Sequence, residues 1–213
     1  MTSRRPMRLF SRMGLIWCIF TALTLVWGDA LVRLLHLPIE ALTEWLSDGF
    51  IVAISEQPSA EGAGNVIIHF HAFEPVLVAG DISVTPWTPM TAAIDAGHDL
   101  MPAAMLLACA LSTPFISVRR MLVSAARALL AAVALLVVVV GLHFSGLIEI
   151  SLQRAAESVH QARPESLTLT IFEFAESGGT WMVALGVAAL VAWSSSARDN
   201  RRNADSDSAE TAC

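Results

Sequence analysis

Residues 128–142 read ALLAAVALLVVVVGL and contain no polar side chain. With its flanks, this apolar pattern extends over 121–147. A helix that crosses the hydrocarbon core of a bilayer, which is about 30 Å thick, needs about 20 such residues. The stretch is therefore predicted to be a transmembrane helix. The composition agrees, because only 15% of the residues are charged, whereas soluble domains carry about 25% charged residues.

Further apolar segments flank this helix on both sides. The sequence predicts four transmembrane helices, at 13–36, 100–117, 121–147 and 178–195. The connection between the second and third is so short that they form an antiparallel hairpin. A cleaved signal peptide is the alternative for the first segment. A retained anchor is favoured because the helical pattern continues beyond Asp29 and because Trp27-Gly28-Asp29 is a poor cleavage site.

The distribution of charge predicts the topology. The stretch from Leu34 to Val118 has nine acids and no Lys or Arg. Arginines cluster instead in the first twelve residues, between the second and third helices, and after the fourth helix. Basic segments next to membrane helices stay in the cytoplasm. The basic N-terminus 1–12 and the disordered tail 196–213 are therefore predicted to be cytoplasmic, in a multi-pass protein of the bacterial inner membrane.

Two segments are then extracytoplasmic, 37–99 and 148–177. Two arginines, Arg154 and Arg163, fall in the second of them, where neighbouring acids neutralise them. The same segment begins as a helix, over 147–162, and breaks at Pro164. Residues 166–174 fit either a strand or an interfacial helix, because their pattern does not separate the two.

The first extracytoplasmic segment changes its period along the chain. After Pro38, an amphipathic helix is predicted to continue the first span along the outer membrane surface. Its apolar face carries Ile39, Leu42, Trp45 and Leu46, and the opposite face carries Glu40, Glu44 and Asp48. Residues 50–55, 65–73 and 76–84 are then expected to form one small antiparallel sheet, with a bend at Gly80 in the third strand. The fold class is thus an α-helical membrane protein, with four transmembrane helices and a small antiparallel β-rich extracytoplasmic module.

Three polar residues of the spans could form contacts with the bundle or with a partner. Asp29 and Arg33 lie four residues apart on one helix face, where each partly offsets the burial cost of the other. They are either a functional contact or an interfacial pair at the end of the span. His143 lies in the outer part of the third span. It is either a proton relay or a hydrogen-bonded packing residue.

His69 and His71 alternate along the predicted second strand and so share a face. A His-x-His pair supplies two ligands, but zinc needs a third and usually a fourth. We therefore treat them as weak metal candidates beside the simpler reading of solvent-facing histidines. The sequence contains no motif of a nucleophile, a nucleotide loop or a metalloprotease. It predicts no cofactor, and without a basic patch interleaved with aromatics it predicts no nucleic-acid partner.

The layout resembles the small integral membrane proteins that accompany exosortases in Gram-negative bacteria, of the exosortase-H-associated type. The similarity covers Trp45 to Ile54 leading into strands, Met101-Pro-Ala-Ala-Met-Leu-Leu-Ala opening the second span, and Phe172 to Trp193 as an outer helix with the last span. The resemblance implies an accessory role in the sorting of tagged envelope proteins, without catalysis. The sorting enzymes use an outward-facing Cys, whereas Cys18 and Cys109 lie within apolar runs and Cys213 in the tail.

Three function hypotheses follow. The first is a non-catalytic accessory subunit that binds the bilayer and a membrane protein partner, such as a sorting protease. Small residues of the third and fourth spans would let helices pack closely, either within the bundle or against that partner. The second is a membrane-embedded enzyme or transporter component that uses Asp29, Arg33 and His143. The third is an outer sensor in which His69 and His71 form a metal switch.

Overall fold

The computed structural model describes residues 4–57, 65–80, 82–112 and 118–193. The helices are α1 (Arg4–Leu34), α2 (His36–Leu46), α3 (Ala96–Asp99), α4 (Met101–Ser112), α5 (Val118–Ser158), α6 (Leu167–Phe174) and α7 (180–193), and a π-helical turn, Ala175–Gly179, joins the last two. The strands are β1 (Phe50–Gln57), β2 (Asn65–Ala72), β3 (Val76–Ala79), β4 (Ile82–Val84) and β5 (Met90–Ile94).

Three helical segments are long and apolar enough to cross a membrane. They are Ser11–Leu34, Met121–Ser158 and Leu167–Trp193, and they overlap the first, third and fourth predicted spans. The predicted second span corresponds to a shorter apolar helix, Ala96–Ser112, and its last residues, 113–117, lie outside the described ranges. The tail 196–213 also lies outside them.

The chain divides into two compact units. The first contains Met1–Ala22, Pro102–Ala134 and Trp181–Cys213. Its buried side chains are mostly small, including Ala108, Ala128, Ala132, Ala184 and Ala188. Small side chains let helix backbones approach closely. Ala184 and Ala188 of the predicted fourth span therefore pack inside this chain, whereas Leu129, Leu130 and Leu190 are exposed, as expected of side chains that face lipid.

The second unit contains Leu23–Met101 and Leu135–Thr180. Its hydrophobic core joins the sheet to the helices, because Ile68 and Phe70 of β2 belong to the same buried cluster as Val140, Phe144 and Ile148 of α5. The buried residues of α5 recur every four positions, which places them along one helix face. The β-strands are therefore built onto the helices rather than forming a separate domain.

The three-stranded antiparallel sheet has the order β1-β2-β5. Its central strand alternates as predicted, since Val66, Ile68 and Phe70 are buried while His69 is exposed. The buried residues of all three strands face the α5 core, and the opposite face carries His69, His71 and Thr91. This alternation is the period of two that a half-buried sheet requires.

The predicted third strand, 76–84, is wrong in its pairing. Gly80, whose φ of +55° favours glycine, turns the chain back, and β3 and β4 pair with each other as a separate two-stranded hairpin. The third strand of the main sheet is instead Met90–Ile94. The sequence analysis missed it because two of its five residues are alanine, which carries little β-propensity.

The amphipathic helix predicted after Pro38 forms, but the residues of its predicted apolar face divide between the protein core and the surface. Ile39 and Thr43 are fully buried, whereas Trp45 is exposed. The acids are not simply solvated, because Glu44 accepts a hydrogen bond from the Val52 N–H at 3.0 Å and Glu40 accepts one from the Ile54 N–H at 2.7 Å. These carboxylates complete the outer edge of β1, whose free N–H groups would otherwise invite pairing with another chain.

Candidate functional site

The second unit brings two acids to the predicted polar residue of α5. His143 Nδ1 lies 3.2 Å from Asp99 Oδ2 and 3.6 Å from Glu176 Oε1. We call Asp99, His143 and Glu176 the His143 cluster. Three separate elements contribute to it: α3, α5 and the π-helical turn.

Asp99 is held in place by the cap of its short helix. The Asp95 carboxylate accepts hydrogen bonds from the N–H groups of Gly97, at 3.0 Å, and His98, at 3.4 Å. Gly97 in turn lies against Gly28 of α1, where an added Cβ on Gly28 would come within 3.1 Å of the Gly97 nitrogen. This close contact between the two backbones fixes the position of α3, and with it the Asp99 carboxylate.

Glu176 approaches the cluster from a break in the last long helix. Gly178 has a φ of +108°, which only glycine adopts easily, and the helical backbone kinks there. Local π-helical geometry occurs frequently at functional sites. The preceding turn of α6 supplies Phe172, whose ring meets the His143 ring edge-on with centroids 5.4 Å apart. The imidazole therefore contacts one aromatic ring in addition to the two carboxylates.

Burial differs strongly among the three side chains. Asp99 is 7% exposed, His143 19% and Glu176 53%. Asp99 Oδ2 has no hydrogen-bond partner among the described residues, although it lies within ion-pair distance of His143, because the two groups do not have hydrogen-bond alignment. Asp99 Oδ1 lies 3.9 Å from the exposed His98 ring. The buried Asp99 carboxylate thus has the His143 imidazole as a polar neighbour, at 3.2 Å.

This arrangement can hold a proton between one imidazole and two carboxylates, and it can link three elements electrostatically. A serine or cysteine nucleophile is not among the contacts of His143 in the described part of the chain. The described residues of the site therefore have the chemistry of a proton-binding or structural cluster.

Asp29 and Arg33 do not join this cluster. Arg33 Nε donates to the Asp29 backbone carbonyl at 3.4 Å, and Arg33 is exposed on α1. Within the described ranges, the contacts of His143 include neither residue. The i,i+4 spacing therefore holds Asp29 and Arg33 near each other but does not bring them to His143.

His69 and His71 share a face of the sheet, as the strand alternation predicted. The His71 ring stacks on Trp87 at a centroid distance of 5.0 Å. Trp87 has a φ of +66°, and its N–H donates to the Ala72 carbonyl at 2.8 Å. Over residues 4–57, 65–80, 82–112 and 118–193, no group of three His, Cys, Asp or Glu side chains is arranged to hold a metal ion.

The sequence analysis missed Asp99, Glu176 and Phe172 as neighbours of His143. Asp99 could have been found from the predicted hairpin, because it immediately precedes the predicted second span and His143 lies in the outer part of the predicted third span. Residues at comparable distances from the turn of an antiparallel hairpin lie at similar heights. Glu176 had no such signal, since its position depends on the kink at Gly178.

Comparisons with protein-family models, with curated proteins and with solved structures gave no match. The similarity to exosortase-associated proteins therefore stays a prediction from the sequence.

Proposed function

We infer that the chain is a four-span protein of the bacterial inner membrane, with both termini cytoplasmic, that acts as a non-catalytic accessory or assembly subunit. Its partner would be a membrane protein of an envelope sorting or secretion system, such as an exosortase-type sorting protease. The observation that carries this proposal is the common core of the sheet and the helices, in which Phe70 of β2 and Phe144 of α5 are both buried.

A common core supports a docking role for a physical reason. A module attached by a flexible linker samples many orientations, and ordering it on binding costs conformational entropy. Here the sheet shares buried contacts with α5, a helix that is apolar enough to cross a membrane. It would present its outer surface to a membrane-bound partner at a fixed place and height.

The first test concerns topology. Alkaline phosphatase and green fluorescent protein are fused in turn within the 58–64 segment, near Gly62, and after residue 213. We expect phosphatase activity only near Gly62 and fluorescence only at the tail. If phosphatase were active at the tail, or fluorescence arose from the Gly62 site, the four-span arrangement would be wrong.

The second test concerns the partner. The full-length protein is co-expressed with a membrane-embedded sorting protease from the same genome, crosslinked in the membrane, and purified under denaturing conditions. We expect a crosslinked heterodimer that an unrelated four-span protein at equal expression does not give. Processing of a tagged cargo by the protease should also fall when the accessory chain is deleted. Unchanged processing together with no crosslink would exclude the accessory role.

A second candidate is a proton-handling component of a membrane enzyme or transporter, and the His143 cluster is the observation that favours it. Buried ionisable groups of membrane helices often mark proton pathways. The sequence suggested that Asp29 and Arg33 act together with His143. In the structure, the residues beside His143 are Asp99 and Glu176. Alanine variants of His143 and Asp99 separate the two candidates. A subunit keeps its partner when the variants insert and fold, whereas a proton relay loses activity at unchanged membrane levels.

A further inference from the structure

We propose that the outer edge of β5 is a docking site for an extended, basic segment of a partner protein, which adds to the sheet as a fourth strand. This inference rests on the proposed accessory function and names the way in which the partner binds. The two edges of the β1-β2-β5 sheet differ. One is completed by side chains of α2, and the other is open.

The register determines which groups of β5 point outward. Val52 and Ile54 of β1 direct their N–H groups away from β2, toward Glu44 and Glu40. Alternate residues of an antiparallel strand bond to opposite sides, so the odd-numbered residues of β1 and β2 pair with each other. The even-numbered residues of β2 then pair with β5, through Met90, Ala92 and Ile94.

Thr91 and Ala93 consequently direct their N–H and C=O groups to the outer edge. Both residues are exposed, and no hydrogen bond to their backbone occurs among the described residues. Natural edge strands are usually protected by a charged residue, a proline or a covering element. Met90–Ile94 contains neither a charge nor a proline, in contrast to the β1 edge that Glu40 and Glu44 protect.

The charge of the chain around the sheet indicates which kind of segment binds the β5 edge. The stretch from Leu34 to Val118, which includes the whole sheet, has nine acids and no Lys or Arg. The chain as a whole carries a net charge of −6, and a net negative charge keeps copies of one protein apart, so pairing of β5 with β5 of a second copy is disfavoured. An extended segment that carries Arg or Lys is attracted instead, and such complementarity selects the partner as well as speeding its encounter. Addition of a strand to an exposed edge is an established mode of peptide recognition.

The length of the edge sets the size of the segment. Pro89 precedes β5 and has no N–H group, and the Asp95 carbonyl that follows accepts a hydrogen bond from the Asp99 N–H. The open edge is therefore bounded by Pro89 and Asp95, and it pairs with a segment of about five residues, at about 3.4 Å per residue. So short a contact is weak in solution, and it becomes effective when both proteins are held in one membrane.

The proposal is tested with a synthetic probe and the full-length protein in lipid nanodiscs. The probe is an acetylated, amidated peptide of alternating Arg and Val. We expect it to slow hydrogen exchange of the Thr91 and Ala93 amides by about tenfold or more, as a new hydrogen bond does. Two control peptides replace every Arg with Glu, or carry N-methyl groups on the pairing edge. We expect neither control to protect β5.

The matched variants are Ala93→Pro and Ala93→Ser. Proline removes the outward N–H group while leaving the bonds to β2, and it is tolerated on edge strands. Serine alters the side chain but keeps the N–H group. We expect the proline variant to bind the peptide at least about tenfold more weakly, and the serine variant to bind it normally. The N-methylated peptide gives the same information without any change to the protein, should the proline variant fold poorly.

Several outcomes would overturn the proposal: no protection by the Arg peptide, equal protection by the Glu or N-methylated peptide, or a disulfide-linked homodimer formed in membranes through Thr91→Cys. Co-purification with the sorting protease separates this inference from the proposed function. If the protease binds the Ala93→Pro variant as well as the wild type, the edge proposal fails and the accessory role stands. If no protease binds but the peptide still pairs with β5, the accessory role fails and the edge proposal stands.

Discussion

Arg163 forms a two-pronged ion pair with Glu149. Arg163 Nε lies 2.7 Å from Glu149 Oε1, and Nη2 lies 3.4 Å from Oε2. The same guanidinium donates from Nη1 to the backbone carbonyls of Leu77 and Val78 in the β3–β4 hairpin. One side chain therefore ties α5, the loop before α6 and the second hairpin together. The neutralisation of Arg163 by nearby acids was predicted from the sequence, whereas its contact with the hairpin was not.

The first prediction is that loss of Arg163 destabilises the second unit more than loss of the whole pair. Glu149 is only 8% exposed, so Arg163→Met leaves a carboxylate buried without its partner. We expect the free energy of unfolding to fall by about 3–5 kcal/mol. The double variant Glu149→Leu/Arg163→Met should recover part of this loss, because the unpaired charge is gone. Denaturant titration of the detergent-solubilised protein measures both.

Arg154 provides the control for this prediction. It lies on the same helix and is exposed, so Arg154→Met should change the stability by less than about 0.5 kcal/mol. A loss from Arg163→Met no greater than that from Arg154→Met would contradict the structural role of the pair.

The second prediction concerns the protected edge of β1. Replacing Glu40 and Glu44 with Ala removes the acceptors of the Ile54 and Val52 N–H groups. Hydrogen bonds to a charged group contribute about 1.5–3 kcal/mol each. We therefore expect both amides to exchange faster with solvent, and the variant to self-associate through the uncovered edge. Hydrogen exchange and sedimentation measure the two effects.

Asp48→Ala is the matched control, because Asp48 is an exposed acid just after α2. It changes the net charge without removing an acceptor for β1. If Asp48→Ala accelerated the exchange of Val52 and Ile54 as much as the double variant, the effect would come from charge alone.

The elements that could be predicted from the sequence are those whose periodicity is set by burial. The apolar run around Ala128–Leu142 indicated a long helix, and α5 extends well beyond it in both directions. The run of β-branched and aromatic residues within 65–73 indicated a strand, and the structure confirms one over Asn65–Ala72. In both cases the local sequence pattern indicated the element correctly, because the surroundings of each side-chain face stay the same along the helix or strand.

The features that could not be predicted depend on residues far apart in the chain. The sequence grouped Trp45 with Ile39 on one apolar face of α2, but the face that meets the sheet is set by Ile39, Thr43 and the carboxylates that reach β1. The pairing of β5 depends on the turn at Gly80 and on the Pro86–Pro89 segment. The His143 cluster depends on a helix cap at Asp95 and on a kink at Gly178, and neither leaves a periodic signal.

The third prediction tests the packing that covers His143. A Cβ atom added to Gly146 would overlap the Phe172 ring, which lies against His143. We expect Gly146→Ala to lower the free energy of unfolding by about 1–3 kcal/mol, since overpacking forces neighbouring side chains to move. Gly186→Ala is the control, because nothing lies within 4 Å of an added Cβ there. It should be neutral or stabilising, by up to about 1 kcal/mol.

The fourth prediction tests the interaction between Asp99 and His143 directly. The single variants His143→Ala and Asp99→Ala and their double variant form a thermodynamic cycle. Because the two side chains are in contact and Asp99 is buried, we expect a coupling free energy of about 0.5–3 kcal/mol. His143→Ala alone should be the most destabilising of the three, since it leaves the Asp99 carboxylate buried without its imidazole neighbour.

Glu176 is the control residue for this cycle. It is 53% exposed and lies 3.6 Å from the same His143 nitrogen. Exposed ion pairs contribute little, so Glu176→Ala should cost no more than about 1 kcal/mol. Additive effects of His143→Ala and Asp99→Ala would mean that the two side chains do not interact energetically. A coupling at least twice that between His143 and Glu176 would instead identify the buried carboxylate as the partner that holds the imidazole between α3 and α5.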